Sequence, residues 1–186
     1  MYDMPDEVDV TADGPLRIIT LNRPDELNAV NDPLHVGLAR VWEALNEDAT
    51  ARAAVITGAG RAFSAGGDFN YLNELRKDEA LRQKTIKHGR DLVIGMVRCR
   101  IPVIAAVNGP AVGLGCSLAA LSDVVYMAES AFFADPHVQI GLVAANVDAD
   151  VVEQRLEVLE VEQRDQGGQG VAPGPRLGDH DVPEDQ

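Results

Sequence analysis

The sequence predicts an α/β domain in which buried strands alternate with helices. Short runs of small, aliphatic and β-branched residues, such as VIAAV at 103–107, are typical of strands that are buried on both faces. Between them lie longer stretches in which apolar residues recur every three or four positions, as on one face of a helix. A chain of 186 residues suits one domain of this kind.

The first strand and the first helix are predicted at the start of this pattern. Residues 16–21 (LRIITL) are apolar and β-branched and stop at the turn sequence NRP. Asp32 is the predicted cap of the following helix, with Pro33 at its first position. The apolar residues of this helix recur at helical spacing: Leu34, Leu38, Val41 and Leu45.

The remaining elements repeat the order of strand, loop and helix. Residues 53–57 (AAVIT) are predicted as a buried strand that opens into a small-residue loop at 58–68. A helix, a strand, a tightly packed helix and a last strand are then predicted at 79–98, 103–107, 113–121 and 123–127. Binding residues gather in the loops that follow the strands of such folds.

Residues 147–186 differ in composition, with eleven acidic side chains against three arginines and no Phe, Trp, Tyr or Lys. We predict an acidic helix over 147–165, because its apolar residues share one face. Residues 166–186 contain too much Gly, Pro and Asp to pack and are predicted to be disordered. The predicted organisation is a domain at 1–146 followed by an acidic tail.

The composition argues against several classes of function. A formal net charge of −14 lacks the basic footprint that nucleic-acid binding needs. No apolar run approaches the roughly 18 residues that span a bilayer, so no membrane segment is expected. The N-terminus lacks a secretory signal, which predicts a cytoplasmic location. Cys99 and Cys116 are expected to be reduced, and neither has the spacing of a zinc site.

Four stretches can be considered together: ITLNRPDELNAV at 19–30, AFSAGGDF at 62–69, VNGPAVGLGCSLA at 107–119 and FADPHVQIGLV at 133–143. Each alone indicates little, because small-residue loops are common. In this order and spacing, next to predicted strand ends and helix starts, they resemble the crotonase (enoyl-CoA hydratase/isomerase) family. The resemblance covers about residues 15–145.

The resemblance implies a fold, a substrate and an assembly. The family fold is the ClpP/crotonase-type superhelix of repeated β-β-α units, here truncated or diverged at its C-terminus. The substrate is an acyl-CoA thioester, with coenzyme A as part of the substrate and no separate cofactor or metal. A homotrimer or hexamer is expected from the family. Its members complete the pocket and the trimer with C-terminal helices, which residues 147–186 do not resemble.

The resemblance also implies an oxyanion site made by main-chain amides. A reaction next to a thioester carbonyl develops negative charge on one oxygen, and two preorganised N–H donors stabilise it. By resemblance the donors are the amides of Gly67 and Leu114, while Asp68 is expected to cap or brace its loop. The implied coenzyme A channel and thioester site are lined by Glu26, Ala29, Ala65, Gly66, Gly67, Asp68, Phe69, Gly113 and Leu114.

Two positions depart from the family pattern. Hydratases of the family add water with two glutamates, and this chain has Ser117 and His137 at the matching positions. A serine without a partner is a weak base at pH 7, whereas histidine titrates near neutrality. His137 is therefore the candidate general base, and Asp135 could orient it. One base suits double-bond isomerisation, or activation of water for hydrolysis, better than concerted hydration.

The sequence leaves three hypotheses about function open. The chain is an atypical family enzyme, an inactive homologue that binds acyl-CoA, or a carbon–carbon bond hydrolase that uses His137. A loop histidine bonded to backbone is as common as a catalytic one, so His137 does not decide among them. The other histidines, His35, His88 and His180, are predicted to be surface residues, and Cys116 a core residue.

Overall fold

Strands and helices alternate in the computed structural model, which describes residues 2–136. In chain order the elements are β1 (Val8–Asp13), β2 (Leu16–Leu21), a 3₁₀ turn (Pro24–Glu26), α1 (Asp32–Glu47), β3 (Ala53–Gly58), α2 (Phe69–Lys77), α3 (Glu79–Val97), β4 (Val103–Val107), β5 (Ala111–Val112), α4 (Leu114–Leu121), β6 (Val124–Met127) and β7 (Phe133–Ala134). The predicted α/β class is confirmed.

A five-stranded sheet in the order β1-β2-β3-β4-β6 forms the centre of the fold. β1 and β2 are an antiparallel hairpin, and every pair from β2 to β6 is parallel. Ile56 of β3 lies between Ile19 of β2 and Ala105 of β4. Because parallel strands end at one edge of a sheet, the segments that follow β2, β3 and β4 leave from the same edge. A separate small sheet pairs β5 with β7.

The hydrophobic core includes one face of α1 and the sheet. The apolar side chains on that face of α1 are fully buried, namely Leu34, Leu38, Val41, Trp42 and Leu45. They belong to one cluster with Ile19 and Ile56 of the sheet and Leu92 and Met96 of α3. Full burial of one such side chain contributes about 1.5–3 kcal/mol. α1 is therefore a firmly packed support for the residues at its N-terminus.

Most predicted elements are confirmed, with small shifts at their ends. β2 and β4 have the predicted bounds, β3 runs one residue further to Gly58, and α4 begins at Leu114 instead of Gly113. The sequence prediction lacks β1, α2, β5 and β7. β1 is an edge strand with mostly exposed residues, so it lacks the buried run that identifies β3. β5 and β7 have two residues each and exist through their mutual pairing.

The predicted cap of α1 is wrong by one residue. The N-cap is Asn31, whose side-chain oxygen accepts a hydrogen bond from the Leu34 amide at 3.0 Å. Asp32 is the first residue of the helix, and its carboxylate pairs with Lys84 of α3 at 2.9 Å. Asn and Asp cap helices about equally well, so the sequence does not choose between these neighbours.

Among the described residues, no helix has the length and hydropathy needed to cross a membrane. The predicted acidic helix, the predicted disordered tail and the boundary after residue 146 lie outside residues 2–136. These three stay predictions from the sequence.

Candidate active site

The loop at residues 59–68, here called the glycine loop, joins β3 to α2. The amides of Phe63 and Ser64 both donate to the carbonyl oxygen of Pro110, at 3.1 and 3.0 Å. Ser64 in turn accepts the amide of Val112 at 2.8 Å. These main-chain bonds hold the glycine loop against β5.

A single parallel bridge between Val30 and Gly67 orients the Gly67 amide. Val30 donates to the Gly66 oxygen at 2.7 Å and accepts the Asp68 amide at 3.0 Å. Successive amides in an extended segment point in opposite directions, so the Gly67 amide faces away from Val30. Among residues 2–136, no group accepts a hydrogen bond from the Gly67 amide. It is an available donor on the glycine loop.

The amide of Leu114 is the second candidate donor. Leu114 is the first residue of α4 and follows Gly113, whose own amide donates to the Ala134 oxygen at 2.8 Å. The first amides of an α-helix lack intrahelical partners and lie at the positive end of the helix dipole. In the described part of the chain the Leu114 amide has no acceptor. Developing negative charge on an oxygen suits this position.

Gly66 allows the glycine loop and β5 to lie close together. Its φ of +86° falls in the left-handed region that favours glycine. A Cβ at this position would lie 3.1 Å from the Val112 oxygen. Any side chain at residue 66 would therefore push the glycine loop away from β5.

Gly67 and Leu114 line the same cavity, which has a volume of about 250 Å³. Its wall contains six residues that the family resemblance places at the thioester site, namely Ala65, Gly66, Gly67, Phe69, Gly113 and Leu114. The rest of the described wall is Val30, His35, Tyr71, Leu72, Leu75, Thr85, Val112 and Pro136. Amide donors, an apolar wall and three polar side chains thus share one space.

Asp68 supports the glycine loop from outside the described wall of the cavity. As predicted, it caps α2 and accepts the amides of Asn70 and Tyr71 at 2.9 and 3.2 Å. Its carboxylate also pairs with Arg23 at 3.1 Å. Burial alone would raise the pKa of Asp68, but these hydrogen bonds and the Arg23 guanidinium hold it below the ordinary value of 3.8.

Three further predicted residues are absent from the described wall: Glu26, Ala29 and Ser117. Glu26 is exposed in the 3₁₀ turn. Ser117 is buried in α4, and its hydroxyl donates to the Gly113 oxygen at 3.4 Å. Its neighbour Cys116 is buried as predicted, and burial, with the charge of Asp135, raises the pKa of the thiol to about 11. Cys116 is therefore protonated at neutral pH.

Asn28 is a structural residue of the site that the sequence analysis missed. It is fully buried with a φ of +55°, and its side-chain amide donates to the oxygens of Ala59 and Ala62, both at 2.9 Å. Its side-chain oxygen accepts the Arg23 amide at 2.8 Å. Asn28 therefore ties the segment after β2 to the glycine loop. Its residue type is the signal in the sequence that could have indicated this role, since asparagine tolerates a left-handed backbone conformation.

His35 was predicted to lie on the surface, and that prediction is wrong. Its side chain is buried, with 7% of the residue exposed, and it lines the cavity. It shares a face of α1 with Leu38 and Trp42, three and seven positions further along, and this spacing was the signal for burial. His88 of α3 is partly buried, with its ring centroid 6.0 Å from that of His35.

The general-base candidate His137 and the histidine at 180 lie outside residues 2–136, so the role of His137 stays a prediction. Within the described range, no group of three or more His, Cys, Asp and Glu side chains could hold a metal ion.

Comparison with known proteins identifies the family of this chain. A sequence profile described as enoyl-CoA hydratase/isomerase matches residues 12–164, a stretch that contains both donor segments. The chain belongs to the enoyl-CoA hydratase/isomerase family. The match extends past residue 145, where the resemblance of the four stretches ends.

The chain is similar to the crystal structure of an enoyl-CoA hydratase/isomerase from Mycobacterium paratuberculosis, with a TM-score of 0.81 and 67% sequence identity. The similarity covers 90% of this chain and 68% of that one, and it confirms the predicted crotonase-type fold. The chain is also 40% identical over 126 residues to the mitochondrial enoyl-CoA hydratase of Pongo abelii, covering 68% of this chain and 42% of that protein.

A second curated relative is the 1,2-epoxyphenylacetyl-CoA isomerase of Escherichia coli K12. The chain is 39% identical to it over 127 residues, which is 67% of this chain and 48% of that protein. The chain thus spans about half the length of the curated relatives that it matches.

Proposed function

We propose that the chain is an enzyme that acts on an acyl-CoA thioester. The observation that carries this proposal is the pair of amides of Gly67 and Leu114, without acceptors in the described part of the chain, on the wall of one cavity. The names of its relatives, a CoA-thioester hydratase and a CoA-thioester isomerase, support the same substrate class. Coenzyme A enters as part of the substrate, and no further cofactor is proposed.

The proposed chemistry is stabilisation of an enolate. When a proton leaves the carbon next to the thioester, charge moves to the carbonyl oxygen, and both amides would donate to that oxygen. One donor of this kind typically lowers the barrier by about 3–4 kcal/mol. Leu72 and Leu75 on the cavity wall provide apolar contacts for the acyl group. The small residues of the glycine loop leave room for the thioester to reach the main chain.

The proposed reaction is isomerase-like rather than a two-glutamate hydration. Ser117 stands at one hydratase position, and its hydroxyl donates to the main chain of α4. His137 is proposed to move the proton, because imidazole is the group at the two family positions that titrates near neutrality. Removal and return of a proton by one base is sufficient for a double-bond shift.

Calorimetry with hexanoyl-CoA and with free coenzyme A tests the substrate class. The matched variants are Gly67→Pro, which removes the donor N–H, and Gly67→Ala, which keeps it. Both add a Cβ, which lies 3.2 Å from Leu72, so both carry the same steric change at that atom. We expect tighter binding of the thioester than of free coenzyme A, and a loss of this difference only in Gly67→Pro. Equal affinities of the unsubstituted protein for the two ligands would contradict the proposal.

A second candidate is a binding protein without turnover, which the main-chain hydrogen bond of Ser117 favours. Turnover assays with enoyl-CoA and dienoyl-CoA thioesters separate the two candidates. An active chain whose His137→Ala variant binds hexanoyl-CoA normally but loses turnover is the proposed enzyme. Normal binding without turnover on any of these thioesters would identify the second candidate.

The homotrimeric or hexameric assembly and the cytoplasmic location are carried forward as predictions. Sedimentation of the purified chain measures the assembly, and fractionation of cells that express it measures the location.

A further inference from the structure

α2 contributes more residues to the described cavity wall than any other helix. Four of its residues lie on that wall, namely Phe69, Tyr71, Leu72 and Leu75. In the described part of the chain, Tyr71 is the one residue of α2 that is buried, with 6% of its surface exposed. Helices in proteins are held mainly by the packing of a buried face. The attachment of α2 to the rest of the fold therefore depends strongly on Tyr71.

The hydroxyl of Tyr71 connects α2 with α1 and α3. It lies 2.5 Å from the Thr85 hydroxyl of α3 and 3.3 Å from a carboxylate oxygen of Asp32 in α1. The Thr85 hydroxyl donates its own proton to the Leu81 carbonyl oxygen at 2.8 Å, so Tyr71 is the donor toward Thr85. Lys84 pairs with the Asp32 carboxylate at 2.9 Å. Three helices thus meet at one hydroxyl group.

The phenol of Tyr71 stays protonated at neutral pH and can act as this donor. Burial raises its pKa above the ordinary value of 10.0, the hydrogen bond with Thr85 opposes this, and the charge of Asp32 adds to it. A buried polar network in which each proton has an acceptor makes the elements that carry it rigid. The contacts of Tyr71 therefore fix α2 against its two neighbours.

α2 also packs against the proposed donor Gly67. A Cβ at Gly67 would lie 3.2 Å from the side chain of Leu72, the residue next to Tyr71. The bridge with Val30 holds the main chain of Gly67, while Leu72 occupies the space that a side chain at residue 67 would take. The position of α2 therefore influences the direction in which the Gly67 amide points.

We propose that Tyr71 is a positioning residue of the oxyanion site and acts on it through α2 and Leu72. The inference rests on the proposed function and adds a residue to the same site. The hydrogen bonds of the Tyr71 hydroxyl hold α2 where Leu72 packs on Gly67 and the Gly67 amide points to the thioester oxygen. Without the hydroxyl, α2 loses these bonds to α1 and α3, and the amide takes a wider range of directions.

The infrared carbonyl stretch of bound hexanoyl-CoA, isotope-labelled at the thioester carbonyl, tests this inference on the full chain. Donors that polarise the carbonyl move its stretch to lower frequency. We expect a shift in the unsubstituted protein and a smaller one in Tyr71→Phe, which keeps the ring but lacks the hydroxyl. Calorimetry should show about twofold to tenfold weaker binding of hexanoyl-CoA to Tyr71→Phe, the range for one net hydrogen bond, with unchanged binding of free coenzyme A.

Thr85 supplies a matched pair of variants. Thr85→Val removes an acceptor of the Tyr71 hydroxyl and keeps the shape of the side chain. Its shift should lie between those of the unsubstituted protein and of Tyr71→Phe, because Asp32 still accepts from Tyr71. Thr85→Ser keeps the hydroxyl and should keep the full shift. This pair tests the inference even if Tyr71→Phe folds poorly.

Leu45→Val is the control for lost stability, because Leu45 is buried in the last turn of α1 and is absent from the described cavity wall. It should lower the free energy of unfolding in urea but keep the full carbonyl shift. A full shift in both Tyr71→Phe and Thr85→Val, or an equal reduction in Leu45→Val, would overturn the inference and leave the proposed function standing. Absence of a shift in the unsubstituted protein would overturn both.

Discussion

Gly115, in the first turn of α4, packs directly against Ser64 of the glycine loop. A Cβ at residue 115 would lie 3.0 Å from both the Cβ and the carbonyl oxygen of Ser64. One of these residues is three positions before Gly67, and the other directly follows Leu114. This contact therefore sets how closely the two proposed donors approach one another.

Gly115→Val should disturb both stability and binding. The added atoms have no space against Ser64, and overpacking of this kind costs about 1–3 kcal/mol. Urea unfolding should show that loss, and calorimetry should show weaker binding of hexanoyl-CoA. Gly115→Ala is the control with a smaller added group, and its stability and affinity should lie between those of the unsubstituted protein and of Gly115→Val. A valine variant with unchanged stability and affinity would show that the contact does not set the donor positions.

Two glycines of α3 should respond in opposite directions to alanine. A Cβ at Gly95 would lie 2.9 Å from the buried Trp42 side chain, whereas a Cβ at Gly89 would meet only His35 atoms at 3.9 Å. Alanine favours a helix by about 1 kcal/mol over glycine. Gly89→Ala should therefore raise the free energy of unfolding, and Gly95→Ala should lower it. Two changes of the same sign would be inconsistent with the packing of α3 on α1.

Asp68 should stabilise the chain through two separable effects. Asp68→Ala removes the cap of α2 and should cost about 0.5–2 kcal/mol at pH 7. Asp68→Asn keeps a capping oxygen but loses the charge that pairs with Arg23, so it should cost less. Urea unfolding of the three proteins at pH 7 measures both effects.

The Asp68 contribution should also depend on pH. Its pKa in the folded chain is held below 3.8, so the stabilisation by the carboxylate is complete above that pH and is lost as pH falls through the folded value. The unsubstituted protein and Asp68→Asn should therefore converge in stability below pH 3.8. A difference that stays constant there would argue against the ion pair.

His35 should make the chain less stable in acid. Its pKa falls from 6.5 in the unfolded chain to about 4 in the folded chain, so between these values the unfolded chain binds a proton that the folded chain excludes. The stability that the neutral imidazole allows is complete above pH 6.5 and is lost toward pH 4, by up to about 3 kcal/mol. His35→Leu should show a flatter pH profile in urea unfolding. Parallel profiles would mean that His35 is not buried as a neutral group.

The sequence predicts the parts of this fold that depend on local pattern. Buried runs identify β2, β3 and β4 because a strand that is covered on both faces is apolar throughout. β5 and β7 were missed because two residues carry no periodicity, and these strands form only when distant segments meet.

The candidate site also contains residues that the local sequence indicates and residues whose burial depends on distant segments. The amides of Gly67 and Leu114 were predicted as donors from the family resemblance of the stretches around them, and their role stays a prediction. His35 and Asn28 were missed because their burial depends on segments far along the chain. Asn28 acquires its partners only when the glycine loop folds beside it. A polar residue on an apolar helix face, as at His35, is the kind of signal that would have identified one of them.

The most direct test of the account is the infrared carbonyl stretch of hexanoyl-CoA with an isotope label at the thioester carbonyl. Two amides that converge on one oxygen should polarise the carbonyl and move the stretch of the bound ligand to lower frequency. Leu114→Pro removes one donor at the first position of α4, where proline fits a helix, and Leu114→Ala keeps it. We predict a shift that persists in Leu114→Ala and shrinks in Leu114→Pro. A bound thioester whose stretch equals that of the free ligand would contradict the claim that these amides form an oxyanion site.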